Sequence, residues 1–204
     1  MYISTFEFKQ IRLLRNADLV HKTVMMMFDN GRAEENVLYM LMDSKKDSTG
    51  DAPIHMIIQS DNQPKNIPSA LKLLNSRECS GIIGSIKNGD AIRFYGVFEP
   101  LKKDRTRNQN KHNIYPLKSL DGRIEWMNRK FSDAGKLIAI NEVAKNDIFV
   151  QKNTGESHHS ALYGYECLLQ VSNADKLREL IRHGIGRSKA YGAGLCLVLE
   201  VNHV

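Results

Sequence analysis

A glycine-rich segment near the end of the chain combines the residue types that bind phosphate groups. The stretch HGIGRSKAYGAGL, residues 183–195, places four glycines around two cations and one tyrosine. Glycine loses more conformational entropy on folding than any other residue, so such a cluster requires a reason. Backbone N–H groups in a glycine-rich turn can bind an anion, and Arg and Lys add charge. The candidate binding residues of this segment are Gly186, Arg187, Ser188, Lys189 and Tyr191. A tight turn with incidental cations is the alternative, and the GxxxxGK[ST] order of a nucleotide-binding P-loop is absent.

A second cationic segment, KKDRTRNQNKHN, covers residues 102–113. Its cations are Lys102, Lys103, Arg105, Arg107 and Lys111, against the single acid Asp104. Polar, flexible residues separate them, a composition that suits a segment ordering on a nucleic-acid backbone. A solvated loop is the alternative. The net charge of +6 and pI of about 9.2 agree with a nucleic-acid partner. Lys152 is a further candidate for the same RNA-binding surface.

His21 is the candidate for proton transfer. It lies in the segment NADLVHKTVMMMF, where a spacing of about 100° per residue places it at the edge of an apolar stripe. A histidine titrates near neutral pH and can accept or donate a proton. A packing role is the alternative. His158 and His159 face opposite sides if they lie on a strand. Because HxH, HExxH and CxxC spacings are absent, no metal site and no cofactor are predicted.

The composition is that of a folded protein of one large or two small domains. The chain has 204 residues, 42% hydrophobic and 25% charged. Its three cysteines, Cys79, Cys167 and Cys196, are far apart in apolar surroundings, which indicates reduced thiols and a cytoplasmic location. No apolar run approaches the ~20 residues of a membrane span, and the first residues do not resemble a signal peptide. No membrane partner is expected.

The hydrophobic pattern predicts a strand–helix–strand–strand–helix–strand order in each half of the chain. In the first half the predicted elements are a strand at 1–9, a helix at 16–28, strands at 35–43 and 53–60, a helix at 67–75 and a strand-rich stretch at 79–101. In the second half they are a strand at 91–100, a polar insertion at 102–115, a helix at 120–135, strands at 136–152 and 160–172, a helix at 173–184 and a strand at 194–201.

This order predicts an α+β protein made of two tandem ferredoxin-like (RRM-like, βαββαβ) domains. The N-terminal domain, 1–88, carries the helix with His21. The C-terminal domain, 91–204, carries the basic insertion and the glycine-rich segment. The two halves share the order of their predicted elements, but their amino-acid sequences show no repeat.

Several of these features together resemble a known family. The start MYIS, a helix with LVHK near position 20, the central basic insertion and the terminal GIGRSKAYGAGL resemble the CRISPR repeat-processing endoribonucleases of the type I-E Cascade complex. The terminal G-x-G-x-[SA]-[KR]-x-x-G-x-G-L pattern is the most specific match. The resemblance covers essentially the whole chain and implies tandem ferredoxin-like domains.

The resemblance also implies a reaction. The protein would cleave precursor CRISPR RNA within the repeat hairpin without a metal, and remain as a subunit of Cascade. The family's catalytic histidine on the first helix corresponds to His21. Several members carry a tyrosine one turn earlier, where this chain has Asp18.

Such a reaction uses the RNA 2′-hydroxyl as the nucleophile. His21 would move a proton, with Lys22 and Lys189 as further catalytic candidates that stabilise charge on the phosphate. The products would be a 2′,3′-cyclic phosphate and a 5′-hydroxyl.

Two other functions remain open from the sequence. One is a non-catalytic RRM-like module that stacks RNA bases on exposed sheet aromatics; its candidates are Phe6, Phe8, Phe94 and Phe98. The other is a small-molecule enzyme that binds a phosphorylated ligand at the glycine-rich segment. The free protein is expected to be a monomer.

Overall fold

The computed structural model describes residues 1–32, 34–43, 53–104 and 113–203. This part of the chain contains two four-stranded antiparallel sheets and one two-stranded hairpin. The strands are Tyr2–Phe8 (β1), Leu38–Asp43 (β2), Ile54–Ser60 (β3), Leu71–Glu78 (β4), Ala91–Phe98 (β5), Leu101–Asp104 (β6), Asn113–Pro116 (β7), Gly135–Gln151 (β8), Ser157–Val171 (β9) and Cys196–Asn202 (β10). The α-helices are Ala17–Met25 (α1), Ser80–Gly84 (α2), Leu120–Phe131 (α3) and Ala174–His183 (α4), and 3₁₀ turns cover Ile11–Arg15 and Lys189–Tyr191.

The two large sheets have the same topology. The first has the order β2-β3-β1-β4 and the second β8-β9-β5-β10. In each, the first strand of the unit lies between its third and fourth strands, which is the ferredoxin-like arrangement. The predicted α+β fold with two tandem ferredoxin-like units is therefore confirmed. The boundaries at 1–88 and 91–204 stay a prediction.

Helix α1 begins where the sequence predicts. The side chain of Asn16 accepts a hydrogen bond from the N–H of Asp18 at 3.0 Å, which satisfies one of the free donors of the first turn. Val20 and Val24 are buried against the first sheet, as their spacing predicts. Leu19, counted on the same apolar stripe, is 42% exposed and lies at its edge.

The predicted helix at 67–75 is wrong, because this segment contributes the start of β4. Strand β4 runs antiparallel to β1, from the pair Phe8↔Leu71 to the pair Tyr2↔Glu78. Without it, the backbone groups along one edge of β1 would be unpaired, and this long-range pairing outweighs a weak local helix preference. The short helix α2 follows β4 instead, within the stretch predicted to be strand-rich.

Both ends of α4 follow the prediction. The Asn173 side chain accepts from the N–H of Lys176 at 3.1 Å, and the helix stops at Gly184, whose φ is 74°. The predicted helix at 120–135 is shorter, because α3 ends at Phe131 and Gly135 starts β8. A Cβ at Gly135 would meet the carbonyl oxygen of Gln170, so the glycine allows close strand pairing.

The two sheets pack against each other through a shared apolar cluster. Its buried members are Leu38, Met40, Val97, Leu162, Ala193 and Leu195. Gln59 of β3, which is buried, donates to the carbonyl oxygens of Ile181 at 2.8 Å and Arg182 at 3.2 Å, at the end of α4. The first unit thus holds the end of α4, where the glycine-rich segment begins. In the described ranges, no helix has the length and apolar character needed to cross a membrane.

Candidate active site

His21 is half-buried on α1, and its environment keeps the ring neutral. Its Nδ1 atom is buried and has no hydrogen-bond partner among the described residues. Burial lowers the pKa of His21 below its usual value, and the positive charges of Arg32 and Lys22 lower it further. Asp18 acts in the opposite direction. A neutral imidazole near pH 7 can accept a proton.

The glycine-rich segment forms a loop that glycine is needed to build. Gly184, Gly186, Gly192 and Gly194 all have positive φ, between 74° and 91°. At Gly184 an added Cβ would also lie 2.7 Å from Leu38 of β2. The loop therefore packs closely against the first unit, and its backbone has positive φ values that residues other than glycine rarely adopt.

Hydrogen bonds inside the protein hold much of this loop in shape. The N–H of Ile185 donates to Gly194 O at 2.9 Å, and the N–H of Gly194 donates to Val97 O at 2.7 Å. No hydrogen bond to a described residue occupies the N–H of Gly186 or Arg187. These two groups are therefore among those available to an anion, and Arg187 is exposed beside them.

Tyr39 and His21 of the first unit both contact the loop of the second unit, at the turn that contains Tyr191. Tyr39 of β2 is buried and donates its hydroxyl to Ala190 O at 2.8 Å, while burial raises the pKa of its phenol far above the usual value. This bond holds the 3₁₀ turn Lys189–Tyr191 in place. The ring of Tyr191 lies edge-on to the ring of His21, with a centroid separation of 6.3 Å and an interplanar angle of 78°. The structure thus brings together two of the predicted site residues that are far apart in sequence.

Lys22 and Lys152 also lie in this region, at the contact between α1 and the β8–β9 turn. The Lys22 Nζ is 2.6 Å from Asp18 Oδ2 and donates to Asn153 Oδ1 at 3.0 Å. Lys152 is ion-paired with Glu156 at 2.9 Å. The hydrogen bond to Glu156 and the charge of that carboxylate raise the pKa of Lys152.

The remaining loop residues have contacts that support its shape. The Lys189 Nζ donates to His183 O at 2.7 Å, at the end of α4, and burial lowers its pKa, helped by the charges of Arg32 and Lys130. Ser188 has a left-handed backbone with φ 53°, and its hydroxyl donates to the buried carboxylate of Glu99. Roles of Lys189 and Ser188 in RNA contact stay predictions.

The basic insertion is in part a hairpin. Lys102 and Lys103 are exposed on β6, which pairs with β7. Arg105, Arg107 and Lys111 lie outside the described residues. Between described residues, no hydrogen bond or ion pair connects Lys102 or Lys103 to the group around His21.

Two residues at the site were missed from the sequence. Arg32, in the turn after α1, is close enough for its charge to lower the pKa of both His21 and Lys189. His158 on β9 lies edge-on to Tyr191, with a centroid separation of 5.9 Å. The predicted opposite orientation of the neighbouring His159 is confirmed, since its ring packs on Phe149 at 5.0 Å. In the sequence, the adjacency of the two histidines indicated that they face opposite sides of a strand. It did not indicate which of them faces the site.

The site is rich in cations, which suits an anionic ligand such as a phosphate. In the described part of the chain, no cluster of three or more His, Cys, Asp or Glu residues is arranged to hold a metal ion.

Comparisons with known proteins agree with this architecture. The model of the CRISPR associated protein family matches residues 1–199. The CRISPR endoribonuclease Cse3 bound to 19 nt RNA has a TM-score of 0.79 and 18% identity, over 98% of this chain and 100% of that one. The CRISPR-associated protein Cas6e from Escherichia coli K-12 has a TM-score of 0.74 and 19% identity, over 100% of both chains. A chain of a CRISPR RNA-guided surveillance complex, pre-nicking, has a TM-score of 0.74 and 17% identity, again over 100% of both.

No curated protein sequence matches the chain. At these identities the structural likeness establishes a shared fold. Because the family model covers nearly all of the sequence, the protein belongs to the CRISPR-associated protein family.

Proposed function

We propose that this protein is a metal-independent endoribonuclease that cleaves precursor CRISPR RNA within the repeat hairpin. The observation that carries the proposal is the half-buried His21, which is kept neutral and lies against Tyr191 of the glycine-rich loop. Two of the similar structures are named as a CRISPR endoribonuclease bound to RNA and as part of an RNA-guided surveillance complex. The reaction and partner are carried over from them to this chain.

The chemistry fits the side chains at the site. Because RNA supplies its own nucleophile, the 2′-hydroxyl, the protein needs to hold it in line, move protons and stabilise the charge on the phosphate. Neutral His21 accepts the 2′-hydroxyl proton. Arg32 and Lys22 provide positive charge beside it, and Lys189 extends this charge along the loop. A positioned acid–base group of this kind accelerates a reaction by roughly 10²–10⁴-fold.

The non-catalytic RRM-like alternative is less well supported. It requires sheet aromatics that are free to stack on bases. Phe6, Phe94 and Phe98 are fully buried, and Phe8 is 6% exposed, so these four rings belong to the apolar cores. The small-molecule alternative accounts for the glycine-rich loop but not for the basic segment at 102–113.

A cleavage assay tests the proposal. A labelled repeat-hairpin RNA is incubated with excess protein in EDTA, and the products are analysed for a 2′,3′-cyclic phosphate and a 5′-hydroxyl. The wild-type protein should cleave at one position, and a 2′-deoxy substitution at that position should prevent cleavage. His21→Ala should lower the single-turnover rate by roughly 10²-fold or more with nearly unchanged affinity.

His203→Ala is the matched control for that substitution. Its ring contacts Asp90, away from the site, and its side chain is 55% exposed. The control should cleave like the wild type. If His21→Ala cleaves within a few-fold of the wild type, the assignment of His21 is wrong, and absence of wild-type cleavage would contradict the proposed function.

We further propose that the protein is a cytoplasmic monomer when free and stays on its product as a subunit of a Cascade complex. Its three cysteines are buried free thiols, which agrees with a reducing compartment. Size-exclusion chromatography after cleavage should recover the 5′-labelled hairpin product together with the protein. Release of that product would contradict this part of the proposal.

A further inference from the structure

The ring of Tyr191 is flanked by two histidines from different parts of the chain. His21 on α1 has a ring-centroid separation of 6.3 Å from Tyr191, and His158 on β9 has one of 5.9 Å. Both contacts are edge-on, with interplanar angles of 78° and 66°. The site therefore contains a second histidine, a side chain of the type that carries out proton transfer in enzymes.

The fold fixes His158 relative to α1. His158 pairs with Val150 near the end of the β8–β9 hairpin. One residue further, the backbone of Gln151 exchanges two hydrogen bonds with the Asn16 side chain at the start of α1, at 2.9 and 3.0 Å. The hydrogen bond from Lys22 to Asn153 is a further contact between α1 and the β8–β9 hairpin. The hairpin that carries His158 is thus held against the helix that carries His21.

The proposed reaction requires two proton transfers, and His21 accounts for one. A proton leaves the attacking 2′-oxygen, and another must reach the departing 5′-oxygen. Tyr39 is not available for the second transfer, because it is buried and donates to Ala190 O. Asp18, which occupies the position one turn before His21, is ion-paired with Lys22. His158 is exposed, and its charged neighbours Glu156 and Lys152 are paired with each other.

We propose that His158 is the general acid of RNA cleavage, acting opposite His21 across the scissile phosphate. This inference rests on the proposed endoribonuclease function. His21 takes the proton of the 2′-hydroxyl as the bond from that oxygen to phosphorus forms. The bond from phosphorus to the 5′-oxygen breaks, and the imidazolium of His158 gives its proton to that oxygen. The products are the 2′,3′-cyclic phosphate and the 5′-hydroxyl, and in the balance His21 has gained one proton and His158 has lost one.

The separation of the two rings is compatible with these roles. An in-line phosphate with one hydrogen bond on each side spans roughly 9–10 Å between the two donor and acceptor atoms. The two histidine ring centroids are no further apart than the sum of 6.3 and 5.9 Å. This upper limit is longer than the span that the phosphate requires, so the two contacts to Tyr191 are compatible with a phosphate between the histidines.

A substrate with a better leaving group tests the role of His158 directly. In this RNA the bridging 5′-oxygen at the cleavage site is replaced by sulfur, which departs without being protonated. His158→Ala should slow single-turnover cleavage of the normal RNA by roughly 10²-fold or more. On the sulfur-containing RNA the same variant should cleave within a few-fold of the wild type. His21→Ala should remain slow on both substrates.

His159→Ala is the matched control, since it removes the neighbouring histidine from the opposite face of β9. It should cleave both substrates like the wild type. Unchanged cleavage by His158→Ala, or an equal loss on both substrates, would overturn the proposal while leaving the endoribonuclease function intact. RNA affinity and the melting temperature are measured for each variant, so that a binding or folding defect is recognised separately.

Discussion

At the scale of single residues, the protonation state of His21 is set by its surroundings. Burial of the ring and the nearby charges of Arg32 and Lys22 all disfavour the imidazolium, and the Asp18 carboxylate only partly compensates. The folded protein therefore holds the ring in the form that accepts a proton. A lowered pKa also extends the neutral form to more acidic pH than for an unperturbed histidine, whose pKa is about 6.5.

This electrostatic arrangement predicts a pH dependence. Cleavage requires neutral His21, so it should persist at neutral pH and be lost as the pH falls through the lowered pKa of His21. Arg32→Met removes a charge that lowers this pKa, so the pKa should rise. The acidic limb of the cleavage profile should move to higher pH with it. A two-dimensional NMR titration of the histidine rings measures the pKa directly.

Lys65→Met is the control for that titration. Lys65 is ion-paired with Asp29 and is not among the charges that affect His21. Its substitution should leave the His21 pKa in place. A pKa that is unchanged in Arg32→Met would show that Arg32 does not act on the ring.

At the scale of elements, the glycine-rich loop holds Tyr191 beside the two histidines. The loop starts at the end of α4, crosses β2 of the other unit and returns into β10. Its backbone has positive φ at Gly192 and Gly194, and at Gly194 an added Cβ would also lie 3.1 Å from the carbonyl oxygen of Ile185. The placement of Tyr191 therefore depends on glycine at these positions.

Substitutions at two glycines with nearly equal φ distinguish an effect on the shape of the loop from an effect on the stability of the protein. Gly192 has φ 91° and Gly89 has φ 96°, and an added Cβ would make no contact below 3.4 Å at either position. Each Gly→Ala substitution should cost about 1–2 kcal/mol, a fall of roughly 2–8 °C in melting temperature. Only Gly192→Ala should also slow cleavage, by about tenfold or more, because it disturbs Tyr191. Equal cleavage by the two variants would mean that the loop is an ordinary turn.

The basic segment makes a separate prediction, which concerns binding. Replacing Lys102, Lys103, Arg105 and Arg107 by Ala should weaken binding of the repeat hairpin and flatten its dependence on salt. Each lost phosphate contact should reduce the slope of log K against log salt by somewhat under one. Affinities measured across a salt series test this.

The control variant replaces four exposed lysines outside the site by Ala, which removes the same amount of charge. These are Lys9, Lys65, Lys72 and Lys87. This variant should keep most of the wild-type slope. A slope in the test variant that equals that of the wild type would show that residues 102–111 are solvated and do not contact the RNA.

At the scale of the whole molecule, the site exists because the two units pack together. His21 and Arg32 belong to the first unit, while Tyr191 and His158 belong to the second. The contacts between the units include the shared apolar cluster, the Gln59 bonds to α4 and the Tyr39 bond to Ala190. Cleavage should therefore be sensitive to changes at this interface that do not touch a reacting group.

Tyr39→Phe tests this dependence. The variant keeps the buried ring and removes its hydrogen bond to Ala190 O, at a cost of about 1–3 kcal/mol. Because the 3₁₀ turn with Tyr191 loses an anchor, single-turnover cleavage should fall as well. Tyr165→Phe is the control, since its hydroxyl bonds Glu142 inside the second unit. It should lose stability but cleave normally, and equal cleavage by the two variants would contradict the role given to the interface.

Much of the fold could be predicted from the sequence, because it depends on local patterns. The apolar period and the Asn16 cap locate α1, and Asn173 and Gly184 locate both ends of α4. The glycine cluster at 184–194 likewise indicates an unusual backbone, since the conformational freedom belongs to the residue itself. The segment 67–75 shows the limit of this reasoning, because pairing with the distant β1 decided its structure.

The composition of the site was decided by the tertiary structure. The sequence by itself determined that the chain has two ferredoxin-like units, a histidine on the first helix and a glycine-rich loop before the last strand. It contains no signal that Arg32 and His158 join His21, because they lie 11 and 137 residues away from it along the chain. Arg32 approaches His21 through the fold of the first unit, whereas His158 approaches through the docking of the β8–β9 hairpin on α1. Both contacts arise from tertiary packing, and no local preference of the backbone encodes them.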